Sequence, residues 1–176
     1  VRFLKWFDRR NGRATDAWHE RWRKAIDAPD TADLAALEAA LHSPAPLADD
    51  LELEEEMLDA LRQLIALTRE LDAARVPSVD TSHRIVSGDA CHFSAAVSMP
   101  DDPAQPTGRL LLTSTRAAFA GGARLPPLPW HAIRAVVQDG RDVALVLVDD
   151  RIVRFRCNSS ADAVCGAAIA RYLARR

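Results

Sequence analysis

Apolar residues in the first half of the chain recur three and four positions apart, and in the second half they alternate with polar ones. The first spacing predicts helices and the second predicts strands. Trp18, Trp22, Ala25 and Ile26 share one face of a helix predicted over about 14–28, preceded by a turn at Asn11 and Gly12 and stopped by Pro29. Asp30 or Thr31 then caps a second helix, with Leu34, Leu37 and Leu41 on its buried side. A third helix is predicted over 48–75, its acidic first turns facing the positive end of the helix dipole. On it Leu53, Met57, Ala60, Leu64, Leu67, Leu71 and Ala74 form a heptad seam. Leu51, Leu58, Leu61 and Ile65 make a second row beside it. Two rows predict burial over a wide face, either against the strand-rich half or in a homodimer through the 51–74 helix.

Pro77 ends that helix, and residues 77–83 read as a linker between a helical region, 1–76, and a second domain, 84–176. Within the second domain, strands are predicted at 84–86, 91–99, 109–113, 116–120, 125–130, 133–138, 143–148 and 153–157. The first of these is short, and prolines confine the segment 125–130 to a sheet edge. A final helix starts at Asn158 or Ser159, with Ala161, Val164, Cys165, Ala168, Ile169, Tyr172 and Leu173 as its stripe. About seven short antiparallel strands must roll up or stack to remove their edges, and a helix with one apolar stripe can plug the open end. The fold class expected is therefore α+β: about three helices, then a barrel capped by a C-terminal helix.

Charge changes this picture little. The net charge is −2 over 176 residues, which gives no basic field to draw nucleic acid. Its distribution is uneven, basic up to Lys24 and acidic from Asp49 to Glu56. Cys91, Cys157 and Cys165 are odd in number and follow no paired spacing, which points to buried thiols in a reducing, cytoplasmic setting.

Gly108, Leu110, Leu112, Thr113, Arg116 and Phe119 spell a G-x-L-x-L-T-x-x-R-x-x-F hairpin that resembles GRAM and bacterial pleckstrin-homology-like (PH-like) domains. Trp130 to Ile133 resembles the segment after it, and Phe155 with the final helix matches that family's last strand and capping helix. The resemblance covers about 84–176. It implies a small split barrel that binds lipids, peptides or proteins, a fold that rarely catalyses. The loop that carries Lys and Arg in phosphoinositide-binding relatives here carries Asp101 and Asp102, which repel phosphate. The resemblance leaves Arg116 a structural role, bracing the hairpin.

No spacing calls for a metal or a cofactor. His19, His42, His83, His92 and His131 pair with no Cys or His at zinc spacing. Cys91 and His92 are strand neighbours that face opposite sides, so they form no nucleophile–base dyad. Glu54, Glu55, Glu56 and Asp59 read as a solvated helix face. The expected role is a non-enzymatic binding or adaptor module for a protein or peptide. The alternative is a peripheral membrane protein docking on anionic lipid, at the inner membrane face, through a basic aromatic N-terminal arm. Candidate contact residues are Phe3, Trp6, Phe7, Arg9 and Arg10 in the arm, Leu125 and Trp130 at the proline-rich edge, and Arg154 and Arg156 on the last strand.

Overall fold

A computed structural model of the chain describes residues 2–43, 50–81, 83–86, 88–122 and 125–176, with side chains from Ala14 onward. By contacts the chain divides into two compact units, Val1–Ala66 and Leu67–Arg176.

The first unit is helical. α1 runs Arg2–Asp27, α2 Thr31–Leu41, and α3 begins at Glu52 and continues to Asp72. The expected turn at Asn11 and Gly12 is absent, and α1 passes through it. One glycine costs a helix only about 1 kcal/mol, which strong helix formers on both sides offset. Asp30 caps α2, its carboxylate accepting the Asp33 N–H at 2.7 Å. Three polar contacts set the register of the helices. The Trp18 indole donates to Leu37 O at 3.1 Å, the Trp22 indole donates to Met57 O at 2.7 Å, and His19 Nε2 meets Glu54 Oε1 at 2.7 Å. Glu54 is thus buried, not on the solvated face expected for it. Its neighbours Glu52, Leu53 and Glu55 are exposed and Glu56 is half-buried, so Glu54 is the acid of the run that is fully buried. In the second apolar row Leu58, Leu61 and Ile65 are buried within the single chain, as are Met57, Ala60, Leu64 and Leu71 in the first.

The second unit carries seven strands: β1 Cys91–Ser98, β2 Thr107–Thr113, β3 Arg116–Gly121, β4 Leu128–Pro129, β5 Ile133–Asp139, β6 Asp142–Leu147 and β7 Ile152–Cys157. Every pairing is antiparallel, in the order β4-β3-β2-β1-β7-β6-β5. Laid flat, its edge strands would stand about 29 Å apart. Yet only the 3-10 turn Trp130–Ala132 joins β4 to β5, and three residues reach roughly 10 Å. The sheet must therefore curl until its edges nearly meet. β1 and β7 share only two residue pairs, Val97 with Cys157 and Ser98 with Arg156, so the wall is split there. This is the PH-like split barrel, and α4, Ser160–Ala174, plugs it. Ser159 caps α4 by accepting the Asp162 N–H at 3.1 Å.

The barrel core takes Phe93, Leu110, Leu112, Phe119, Trp130, Val143, Leu145 and Phe155 from the strands and Ala163, Ala167, Ile169, Ala170 and Leu173 from α4. The buried face of α4 is centred on its small residues. Of the stripe expected on it, Ala161, Cys165, Ala168 and Tyr172 are only half-buried. Gly166 shows why: a Cβ there would sit 2.9 Å from the Phe93 ring. Residues 84–86 form a 3-10 turn, not the short strand expected. The segment before them is tied to the barrel, since Val79 N–H donates to Cys91 O at 2.8 Å and His92 Nδ1 lies 2.7 Å from Pro77 O. The β5–β6 hairpin turns at Gly140, whose φ of +56° suits the first central position of a type II′ turn.

Candidate functional site

β4 and β5 are the two free edges of the sheet, and they differ sharply. β4 is two residues long and lies among Pro126, Pro127 and Pro129, which lack N–H donors. β5 is seven residues long, and α4 runs beside it. Between them lies a cleft of about 280 Å³ lined by Ile133, Arg134, Ala135, Val136, Arg171, Ala174 and Arg175. Arg171 Nε donates to Val136 O at 3.1 Å, which identifies that carbonyl as one facing the free edge. By strand alternation the peptide group of Gln138 faces the same way, whereas a register shift between Ile133 and Ala135 interrupts the alternation at Arg134.

The cleft is basic. Arg171 on the last turn of α4 and Arg175 at its C-cap lie four residues apart, where cations also complement the helix dipole. Arg134 ion-pairs with Asp150 at 2.5 Å. The floor is apolar, made by Ile133, Ala135, Val136 and Ala174. An extended chain laid here finds backbone partners along one side, small apolar contacts below and guanidinium groups above. Sequence reasoning missed Arg134, Arg171 and Arg175. A basic pair four apart at a helix C-terminus looks like ordinary dipole matching, and only the curl of the sheet brings β5 beside it.

The residues singled out from the sequence lie elsewhere. Trp130 is in the core at 8% exposure, its indole donating to Thr113 O at 2.9 Å, so it presents no contact surface. The ring fills the corner where the two sheet edges meet. Leu125 is half-buried and packs on the same core. Arg154 and Arg156 do project outward, but aspartates hold them. Arg156 grips Asp142 through two bonds of 2.8 and 3.0 Å, which raise the guanidinium pKa. Arg154 reaches Asp101 at 3.2 Å and Asp142 at 3.8 Å. The acidic loop after β1 is thus partly neutralised by β7. For Phe3, Trp6, Phe7, Arg9 and Arg10 the structure gives helical backbone in α1, and their side chains lie outside the described residues.

The hairpin Gly108–Phe119 is held by contacts within the barrel. Thr113 Oγ1 donates to Arg116 O at 3.0 Å and accepts the Arg116 N–H at 3.2 Å, and Arg116 donates to Ile85 O at 3.0 Å. Gly108 leaves room for Phe119, whose ring a Cβ would meet at 2.8 Å. Burial raises the pKa of the Cys91 thiol and pushes Cys157 to about 12 and Cys165 to about 11, which keeps all three protonated and poor nucleophiles at neutral pH. His92 Nε2 faces Ser114 Oγ at 2.8 Å, away from the Cys91 thiol, whose Sγ lies 3.2 Å from Phe93 O. No helix among the described residues is long and apolar enough to cross a membrane.

No protein-family model and no curated protein matches this chain. Among solved structures it is similar to the C-terminal domain of an unknown protein from Leishmania infantum, at 12% identity over 51% of this chain and 89% of that one, with a TM-score of 0.43. It is also similar to Inner Membrane Complex sub-compartment protein 1 from Toxoplasma gondii, at 14% identity over 57% and 97%, with a TM-score of 0.41. A third is the DH/PH fragment of p115-RhoGEF, at 12% identity over 98% and 71%, with a TM-score of 0.45. The PH-like assignment rests on strand order and on the short bridge between β4 and β5, not on these likenesses.

Proposed function

We propose that this protein is a non-enzymatic binding or adaptor module that takes an extended, acidic segment of a partner protein into the cleft between β5 and α4. The segment adds a strand to β5, a recurrent mode of peptide recognition. The observation that carries this reading is the pairing of one free, proline-free edge with three arginines around a single cleft. Arg171 holds the Val136 carbonyl in the free protein, and an incoming peptide N–H takes its place, releasing the guanidinium to a carboxylate. The GRAM-like and bacterial PH-like pattern in 84–176 supports a binding role and says nothing about the ligand.

The test uses two labelled peptides, one alternating Val and Glu, the other Val and Lys, measured by fluorescence anisotropy on the full chain. The Val/Glu peptide binds and weakens with salt, and Arg171→Ala with Arg175→Ala weakens it about tenfold or more. Equal binding of both peptides, or amide shifts that avoid β5 and α4, refutes the reading.

A further inference from the structure

The sheet has apolar residues on its outer face in two places, and the chain covers one of them. Over β1–β3, Val79, Ile85 and Val86 pack on Leu111 and Ala120. Over β5–β7, the described residues leave Val137, Val148 and Ile152 at 50, 61 and 58% exposure. An antiparallel sheet with one face on its core is ordinarily polar on the other. A contiguous apolar patch there marks a contact surface, and a groove of about 270 Å³ is cut into it.

The register fixes the pattern of this face. Three rows cross β5, β6 and β7 in turn: Asp139, Asp142 and Arg156; Val137, Ala144 and Arg154; Ala135, Val146 and Ile152. The first row ends in an acid on β5 and a base on β7. The last ends in a small residue on β5 and a large one on β7. A twofold axis parallel to the strands lays this face on a second copy with β5 over β7. Asp139 then stands over Arg156 of the second copy, and Ile152 over the hollow at Ala135. Arg154 lays its methylene stem on Val137. Asp142 meets its own counterpart near the axis, with its charge already held by Arg156 at 2.8 Å and Arg154 at 3.8 Å. An axis across the strands would instead set the charged row on Ala135, Val146 and Ile152 and bury charges without partners. A foreign sheet would have to bring a base to β5 and an acid to β7, and a second copy supplies both.

We infer that the outer face of β5–β7 is a homodimer surface, on which two copies stack sheet on sheet about a twofold axis along the strands. The face measures roughly 14 by 17 Å, less than the roughly 800 Å² that each partner buries in a stable complex. The pair therefore forms at high concentration and exchanges with the monomer.

Sedimentation velocity on the full chain, from about 10 μM to about 1 mM, reads the pairing as a rise in mean mass towards twice the monomer. Asp139→Arg alone and Arg156→Asp alone each set like charges opposite one another and weaken pairing about tenfold or more. An equal mixture of the two variants pairs again, because each copy then offers the charge that the other lacks. That rescue also shows that both variants fold. Ile152→Glu, at an exposed position that the fold tolerates, abolishes pairing. A monomer throughout the range overturns the inference, as does pairing unmoved by Ile152→Glu, or a mixture that pairs no better than its components. Ile152 lies two strands from the free edge of β5, so Ile152→Glu leaves peptide binding in the β5–α4 cleft unchanged, and each reading can fail without the other.

Discussion

The two units bury their apolar residues by different means. Among the described residues, the barrel closes a cluster of twenty buried ones on shape, with small α4 residues accepting large strand residues, as Gly166 accepts Phe93. The helical unit relies on polar groups placed deep between helices: two indoles on main-chain carbonyls, and a buried carboxylate on an imidazole. Shape complementarity tolerates swaps that conserve volume. A buried polar contact is sensitive to loss of its partner, which leaves a buried donor or acceptor unsatisfied.

Three substitutions probe that contrast. Phe155→Ala should cost the most, about 3–5 kcal/mol, because the ring is wholly buried and walled by other strands. Urea unfolding measures it, and hydrogen exchange should show protection lost chiefly across β1–β7. Gly166→Ala adds a single methyl and should still cost about 1–3 kcal/mol, since the Phe93 ring has to move. A neutral result would show the α4 interface to be more plastic than shape packing requires. Trp22→Phe keeps an aromatic ring and removes the donor to Met57 O. It should cost about 1–2 kcal/mol, with protection lost in α1–α3. If Trp22→Phe proves silent, the helical unit also packs on shape and the contrast disappears.

The same contrast explains what could be read from the sequence. The strands were legible because alternation is local: Val153, Phe155 and Cys157 face in while Arg154 and Arg156 face out. The Gly108–Phe119 pattern was legible for the same reason, and it is silent about ligands because each of its residues is spent on the core or the turn. Trp130 looked like an edge contact because its role depends on how two distant sheet edges meet. Glu54 looked solvated because its partner, His19, is 35 positions away. The cleft itself was out of reach, as Arg134, Arg171 and Arg175 come together only once the sheet has rolled. A run of local spacing reports which way a residue faces, and not what stands opposite.

The inequality between the two rims has a further consequence. A sheet with two receptive rims can add copy after copy in a row and grow into a fibre. Here one rim is barren, because prolines deny it donors, and only the other can join. Two molecules meeting rim to rim must do so about a twofold axis, and that pairing uses up the joint. The architecture thus limits edge-on assembly to a closed pair.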